Sequence, residues 1–190
     1  ADQTEIQTSY VSEEMSKGSP YDVSGKIPDS ITYEGQSYAK DTVNGATSGT
    51  LTGNVEITAV YSLDKVGGEN GGGDGVPDKY QKKVTFQVVN GTWENGTSTA
   101  KVTYVTLMKD SKWDVNGSAS LIAPTGMNPN AGYGGTDGTQ GGWDTTPPAT
   151  VSGTGDVTYT YTFAKSTTPI VPGNVLYVVE HYKANDDGTY

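Results

Sequence analysis

Apolar and polar residues alternate strictly along several stretches of the chain. In VTYTYTF, Val157, Tyr159, Tyr161 and Phe163 fall on one side while Thr158, Thr160 and Thr162 fall on the other. A period of two is what a half-buried β-strand imposes, because successive side chains point to opposite faces. VEITAVY repeats the pattern with Val55, Ile57, Ala59 and Tyr61, VTFQVV with Val84, Phe86 and Val88, and KVTYVTL with Val102 and Tyr104. These segments predict core strands, with a further one near Ile31, and the one stretch that admits a short helix is Val11 to Lys17.

The breaks between these segments are chemically distinct. Asn90-Gly91, Asn95-Gly96 and Asn116-Gly117 tolerate positive φ and predict tight hairpin turns. Each also opens an Asn-X-Ser/Thr sequon, through Thr92, Thr97 and Ser118, so glycosylation stands beside turn chemistry as a second reading. The run VGGENGGGDG, Val66 to Gly75, has too few side chains to bury a core and reads as a loop or linker. The expected organisation is a first module over residues 1–65, a Gly-rich linker over 66–78, a β-rich repeat module over 79–165, and a tail over 166–190. Pro169 and Pro172 give the tail a stiff, extended start, and VLYVVEHY (175–182) follows as a strand without a module. A lone apolar strand is an aggregation hazard and is expected to pair. Written head to tail, Tyr190 before Ala1, the ends read as one hairpin with its turn at Asp187-Gly188, which predicts one unit of a tandem array.

Charge and composition narrow the function classes. The formal net charge is -10 and all 12 basic residues are lysine, so the long-range field repels phosphate backbones and no nucleic-acid partner is expected. There is no cysteine, which removes disulfides, thiolate metal sites and thiol nucleophiles. No run approaches the ~18 apolar residues that span a bilayer, so no membrane insertion is expected. ADQTEIQTSY is unlike a signal peptide, which places any export signal or anchor outside these residues.

Candidate chemistry is sparse. The single histidine, His181, lies in VVEHY beside Val179 and Tyr177 and reads as a packed strand residue, and the 22 acidic residues show no spacing that singles out a catalytic pair. No enzymatic activity is expected. Asn70, Asp74, Asp78 and Gln81 fall at positions 1, 5, 9 and 12 of a calcium-loop pattern. Position 3 is Gly72 and the bidentate glutamate is missing, so calcium, the one cofactor the sequence points to, competes with a plain solvated linker. Trp93, Trp113, Tyr133 and Trp143 sit beside turns, where aromatics either pack a small β core or present flat faces to a sugar. Lys82, Lys83 and Lys101 flank strands, as the lysine of an internal Lys-Asn crosslink would, though no spacing selects a partner.

The segments GKIPDSITYEGQSY, GTLTGNVEITAVYSLD and VEHYKANDDGTY resemble mucin-binding-protein (MucBP) repeats of Gram-positive surface proteins. The element order is met when the two ends are joined, with Ile27-Pro28 and Tyr33 standing for the family's IPGY-like motif. DGVPDKYQKKVTFQVVNGTW, KWDVNGSASL and GGWDTTPPATVSGTGDVTYTYTF look like a repeat found beside such domains in Firmicutes surface proteins. The resemblance implies a β-grasp-like first module lacking its first strand. It also implies an extracellular, cell-wall-attached location and host mucin or glycan as partner. The expected fold is therefore mainly β: two small β-rich modules, the second a β-sandwich or β-grasp-like unit, plus a C-terminal strand. The expected function is a stalk segment of a cell-surface adhesin with a display role, the alternative being a glycan- or mucin-binding module. Neighbouring repeats, joined through strand 175–182, are the other expected partner.

Overall fold

The computed structural model describes residues 5–69 and 72–167. The protein is mainly β, its strands gathered into several small sheets, with no α-helix among the described residues. The tail strand 175–182, His181, Pro169 and Pro172 lie outside the described residues.

The first region contains β1 (Pro20–Asp22), β2 (Ser30–Tyr33), β3 (Gln36–Asn44), β4 (Ser48–Thr50) and β5 (Thr58–Leu63). β1 pairs antiparallel with β4, and the other three form a meander in the order β2-β3-β5. The β2–β3 hairpin turns on two residues, Glu34 and Gly35, at φ 49° and 75°. Positive φ at both corners matches the twist of the strands they join. In β3 the register slips between Lys40 and Thr42, leaving Asp41 as an extra, unopposed residue. Such a bulge re-aims a side chain out of the strand's alternation. Among the described residues of this region Ala39 is the only fully buried apolar one; Ile31, Tyr38, Val43, Val60 and Leu63 are half-buried.

The second region contains β6 (Gln81–Val89), β7 (Gly91–Thr92), β8 (Lys101–Thr106), β9 (Met108–Lys109), β10 (Lys112–Trp113), β11 (Ser118–Ser120), β12 (Asn128–Pro129), β13 (Gly141–Trp143), β14 (Thr150–Ser152) and β15 (Val157–Phe163). Its main sheet runs β13-β15-β6-β8, antiparallel at both flanks but parallel at the centre, where Val84 to Val89 lie in register with Val157 to Thr162. A smaller sheet, β10-β9-β11-β14, shares its core. Val84, Phe86 and Val88 from β6 meet Tyr159 and Phe163 from β15, Val151 from β14, and Trp93 and Leu121 from loops. The alternation read in the sequence supplies this face directly: Phe86 stacks on Tyr159 at 5.9 Å, and Trp143 stands edge-on to Phe86 and Tyr161. Gly91 admits the closest approach, since a Cβ there would lie 2.5 Å from the Asn128 carbonyl oxygen and against the Phe163 ring.

Three local expectations are corrected. Val11 to Ser16 form no helix, because no tertiary surface receives an apolar stripe there: Val11 is 84% and Met15 48% exposed. The strand read over VEITAVY begins only at Thr58, leaving Val55 outside it and exposed. The Asn-Gly pairs turn the chain, with Asn90 and Gly96 at positive φ, but none joins two strands that pair with each other. The tight hairpins fall instead at Glu34-Gly35 and at Asp110-Ser111, between β9 and β10.

Candidate functional site

The described residues of the Gly-rich segment between the two regions, 66–69 and 72–75, are tied down by side chains. Asp64, at the end of β5, is 2% exposed, and its two carboxylate oxygens accept the backbone N–H groups of Asp74 (2.9 Å) and Gly75 (3.0 Å). Asp78 Oδ1 accepts the N–H groups of Lys65 (2.8 Å) and Val66 (3.2 Å). Asp74 Oδ1 accepts from Val76 N–H at 3.0 Å, and its Oδ2 from Gln81 Nε2 at 2.7 Å. Each carboxylate thus satisfies backbone or amide donors that a solvated linker would leave to water. Glycine is required at Gly73, where a Cβ would lie 2.5 Å from the Asp64 carboxylate.

Beside this loop the β3 bulge places Asp41 against the 3₁₀ turn Asp78–Tyr80. Asp41 Oδ1 accepts the Tyr80 hydroxyl at 2.8 Å, and Oδ2 accepts the Ser62 hydroxyl at 2.7 Å and the Lys79 ammonium. The Asp41 side chain is 4% exposed, that of Lys79 47%. Burial pushes the Asp41 carboxyl upward, but hydrogen bonds from Lys79, Ser62 and Tyr80 and the Lys79 charge outweigh it, holding it below the usual carboxylate range. For Lys79, burial acts downward and is outweighed by its bonds and charge attraction to Asp41 and Tyr80, so its ammonium is held above the usual range. Burial and the bond to Asp41 raise the Tyr80 phenol. The Tyr80 ring packs on Trp113 with centroids 6.0 Å apart. This cluster ties β3 and β5 to the 3₁₀ turn through one carboxylate.

Of the calcium-pattern residues, Asn70 lies outside the described residues, while Asp74, Asp78 and Gln81 meet at this junction. Their mapped contacts are N–H groups, and among the described residues no three acidic or histidine side chains gather to hold a metal. Gln81 Oε1 is buried without a hydrogen-bond partner. An open cleft of about 540 Å³ lies alongside, lined by Val66, Asp78, Lys79, Gln81, Lys83 and Tyr104 among others.

The four aromatics are not brought to one exposed face. Trp93 is fully buried and donates its indole N–H to the Thr99 carbonyl at 2.8 Å, with the Lys101 ammonium 4.9 Å from its ring centroid. Tyr133 and Trp143 pack against the core, and Trp113 lies on Tyr80. Packing claims at least Trp93 outright, since no ligand reaches a side chain without exposed surface. The Lys82 ammonium donates to the carbonyls of Gly153 and Gly155, so the acceptors it meets are backbone oxygens, with no asparagine amide among them.

Sequence reasoning missed Asp41, Asp64, Lys79 and Tyr80. One signal was available for Asp41: a charged residue inside the otherwise strand-like QSYAKDTVN marks a place where the alternation breaks. No helix among the described residues is long and apolar enough to cross a membrane. Comparison with protein-family models, with curated proteins and with solved structures finds no match to this chain.

Proposed function

We propose that this chain is a load-bearing spacer of a bacterial cell-surface adhesin, extracellular and attached to the cell wall, that holds a distal binding region away from the surface. The observation that carries the reading is the parallel pairing of β6 with β15, the first and last strands of the second region's main sheet. The chain enters at the start of β6 and leaves at the end of β15. In a parallel pair those two points lie at opposite ends, so tension along the chain loads the slanted ladder bonds in shear and they must fail together. The folded junction supports the same reading, because a loop tied by carboxylates transmits tension without the slack of a Gly-rich coil. Neighbouring repeats are proposed to join through the segment 175–182.

A second reading, a module that binds host mucin or another glycan, draws on the cleft beside the junction, where Lys79, Lys83 and Tyr104 are among the lining residues. A glycan array probed with the full chain separates the two. A spacer leaves it blank, and selective retention on one glycan class makes the binding reading the correct one.

A further inference from the structure

The first region has a sheet but almost no core. Three strands with an apolar face are about the least that persists alone in water, and here Ala39 is the sole fully buried apolar side chain among the described residues. Each ordered residue costs about 1–2 kcal/mol of backbone entropy, which half-buried Ile31, Tyr38, Val43, Val60 and Leu63 offset only in part. The most deeply buried polar groups of this region, Asp41 and Asp64, both reach out of it: Asp41 to Lys79 and Tyr80, Asp64 to the backbone before the 3₁₀ turn.

We propose that the Asp41 cluster is an acid-sensitive latch, through which the second region holds the first in its folded form and which protonation of Asp41 releases. The bulge is what makes the latch: it turns Asp41 out of the β3 ladder while Ser62 of β5 braces the same carboxylate. Ionised, Asp41 accepts from three donors at once and pairs with a cation; protonated, it loses the ion pair with Lys79 and part of its accepting capacity, which weakens its hold on the 3₁₀ turn. The groups facing it are few. From the 3₁₀ turn come Lys79 and Tyr80, with Asp78 turned away to the Lys65 and Val66 amides; β5 offers the neutral Ser62; the adjacent Lys40 is engaged by Asp29. The sign follows from the direction of the shift. A carboxyl held below its unfolded value of ~3.9 contributes stability that is present above that value and lost as pH falls through the folded one.

The test is amide hydrogen exchange of the full chain, strand by strand, for the wild type, Asp41→Asn and Tyr80→Phe. Tyr80→Phe removes only a hydroxyl and keeps the ring on Trp113, so it stays informative if Asp41→Asn folds poorly. At neutral pH both variants are expected to exchange β3 and β5 amides about tenfold faster, the equivalent of ~1.4 kcal/mol, with β6 and β15 unchanged. As the pH falls through the lowered folded-state value of Asp41, the gap between wild type and Asp41→Asn should close. Unchanged protection of β3 and β5, equal loss in β6 and β15, or a gap that persists in acid would each overturn the latch. Each of these outcomes is read from exchange and none from the force that β6 and β15 withstand, so the latch and the spacer reading fail separately.

Discussion

The two regions of this chain reach order by opposite means. The second gathers eight buried side chains into one cluster contributed by two sheets and the loops between them. The first has comparable strands but one buried alanine, and its tightest contacts are carboxylates bonded to neighbouring segments. Apolar burial is non-directional and survives changes of pH and salt, whereas charge-assisted bonds depend on both. The comparison teaches that strand content alone does not report stability. What a sheet packs against decides whether it stands alone or leans on a neighbour.

Substitutions in the two regions are expected to break in different ways. Trp93→Ala, in the core, should cost about 3–5 kcal/mol and collapse the whole cooperative transition in a denaturant titration. Asp64→Ala removes the acceptor of the part-buried Asp74 and Gly75 amide bonds, so it should cost about 1–2 kcal/mol, visible chiefly as faster exchange of the junction amides. Ile31→Ala, the first region's nearest counterpart to a core deletion, should cost about 1 kcal/mol, because its site is only half-buried. A cost matching that of Trp93→Ala would show that the first region has a core after all. The smallest effect runs the other way. Ser111 and Asp110 occupy positive φ without being glycine, at 62° and 50°, so Ser111→Gly should stabilise by about 1 kcal/mol and raise the melting temperature.

The legible parts of the fold are those where one residue's neighbours in sequence decide its place. β6 and β15 were readable from alternation, down to the inward set Val84, Phe86, Val88, Tyr159 and Phe163. The turn at Glu34-Gly35 was less so, because glutamate carries no hairpin signal and only the strand twist selects its positive φ. Asp110-Ser111 gave still less, being set by the pairing of Met108 with Trp113. Composition identified the loop at 66–75 but could not show that it is tied down, since two of the tying groups, Asp64 and Asp78, and the Gln81 amide that meets Asp74 lie outside the run. Likewise Trp93 beside a turn read first as a core residue and second as a sugar platform. Only its indole bond to Thr99 and its burial separate the two. The Asp41 cluster joins residues 38 positions apart, beyond the reach of any local pattern.

The most direct trial of the load-bearing account is single-molecule pulling of the full chain along two axes. The sequence has no cysteine, so thiol handles placed at the chain ends, or by Lys83→Cys with Asp156→Cys at one end of the parallel pair, attach only where intended. Shear through the chain ends should make the second region unfold at a clearly higher force than peeling β6 from β15 through the internal handles. Equal forces along the two axes would contradict the account, because the parallel strands would then carry no more load than any other pair.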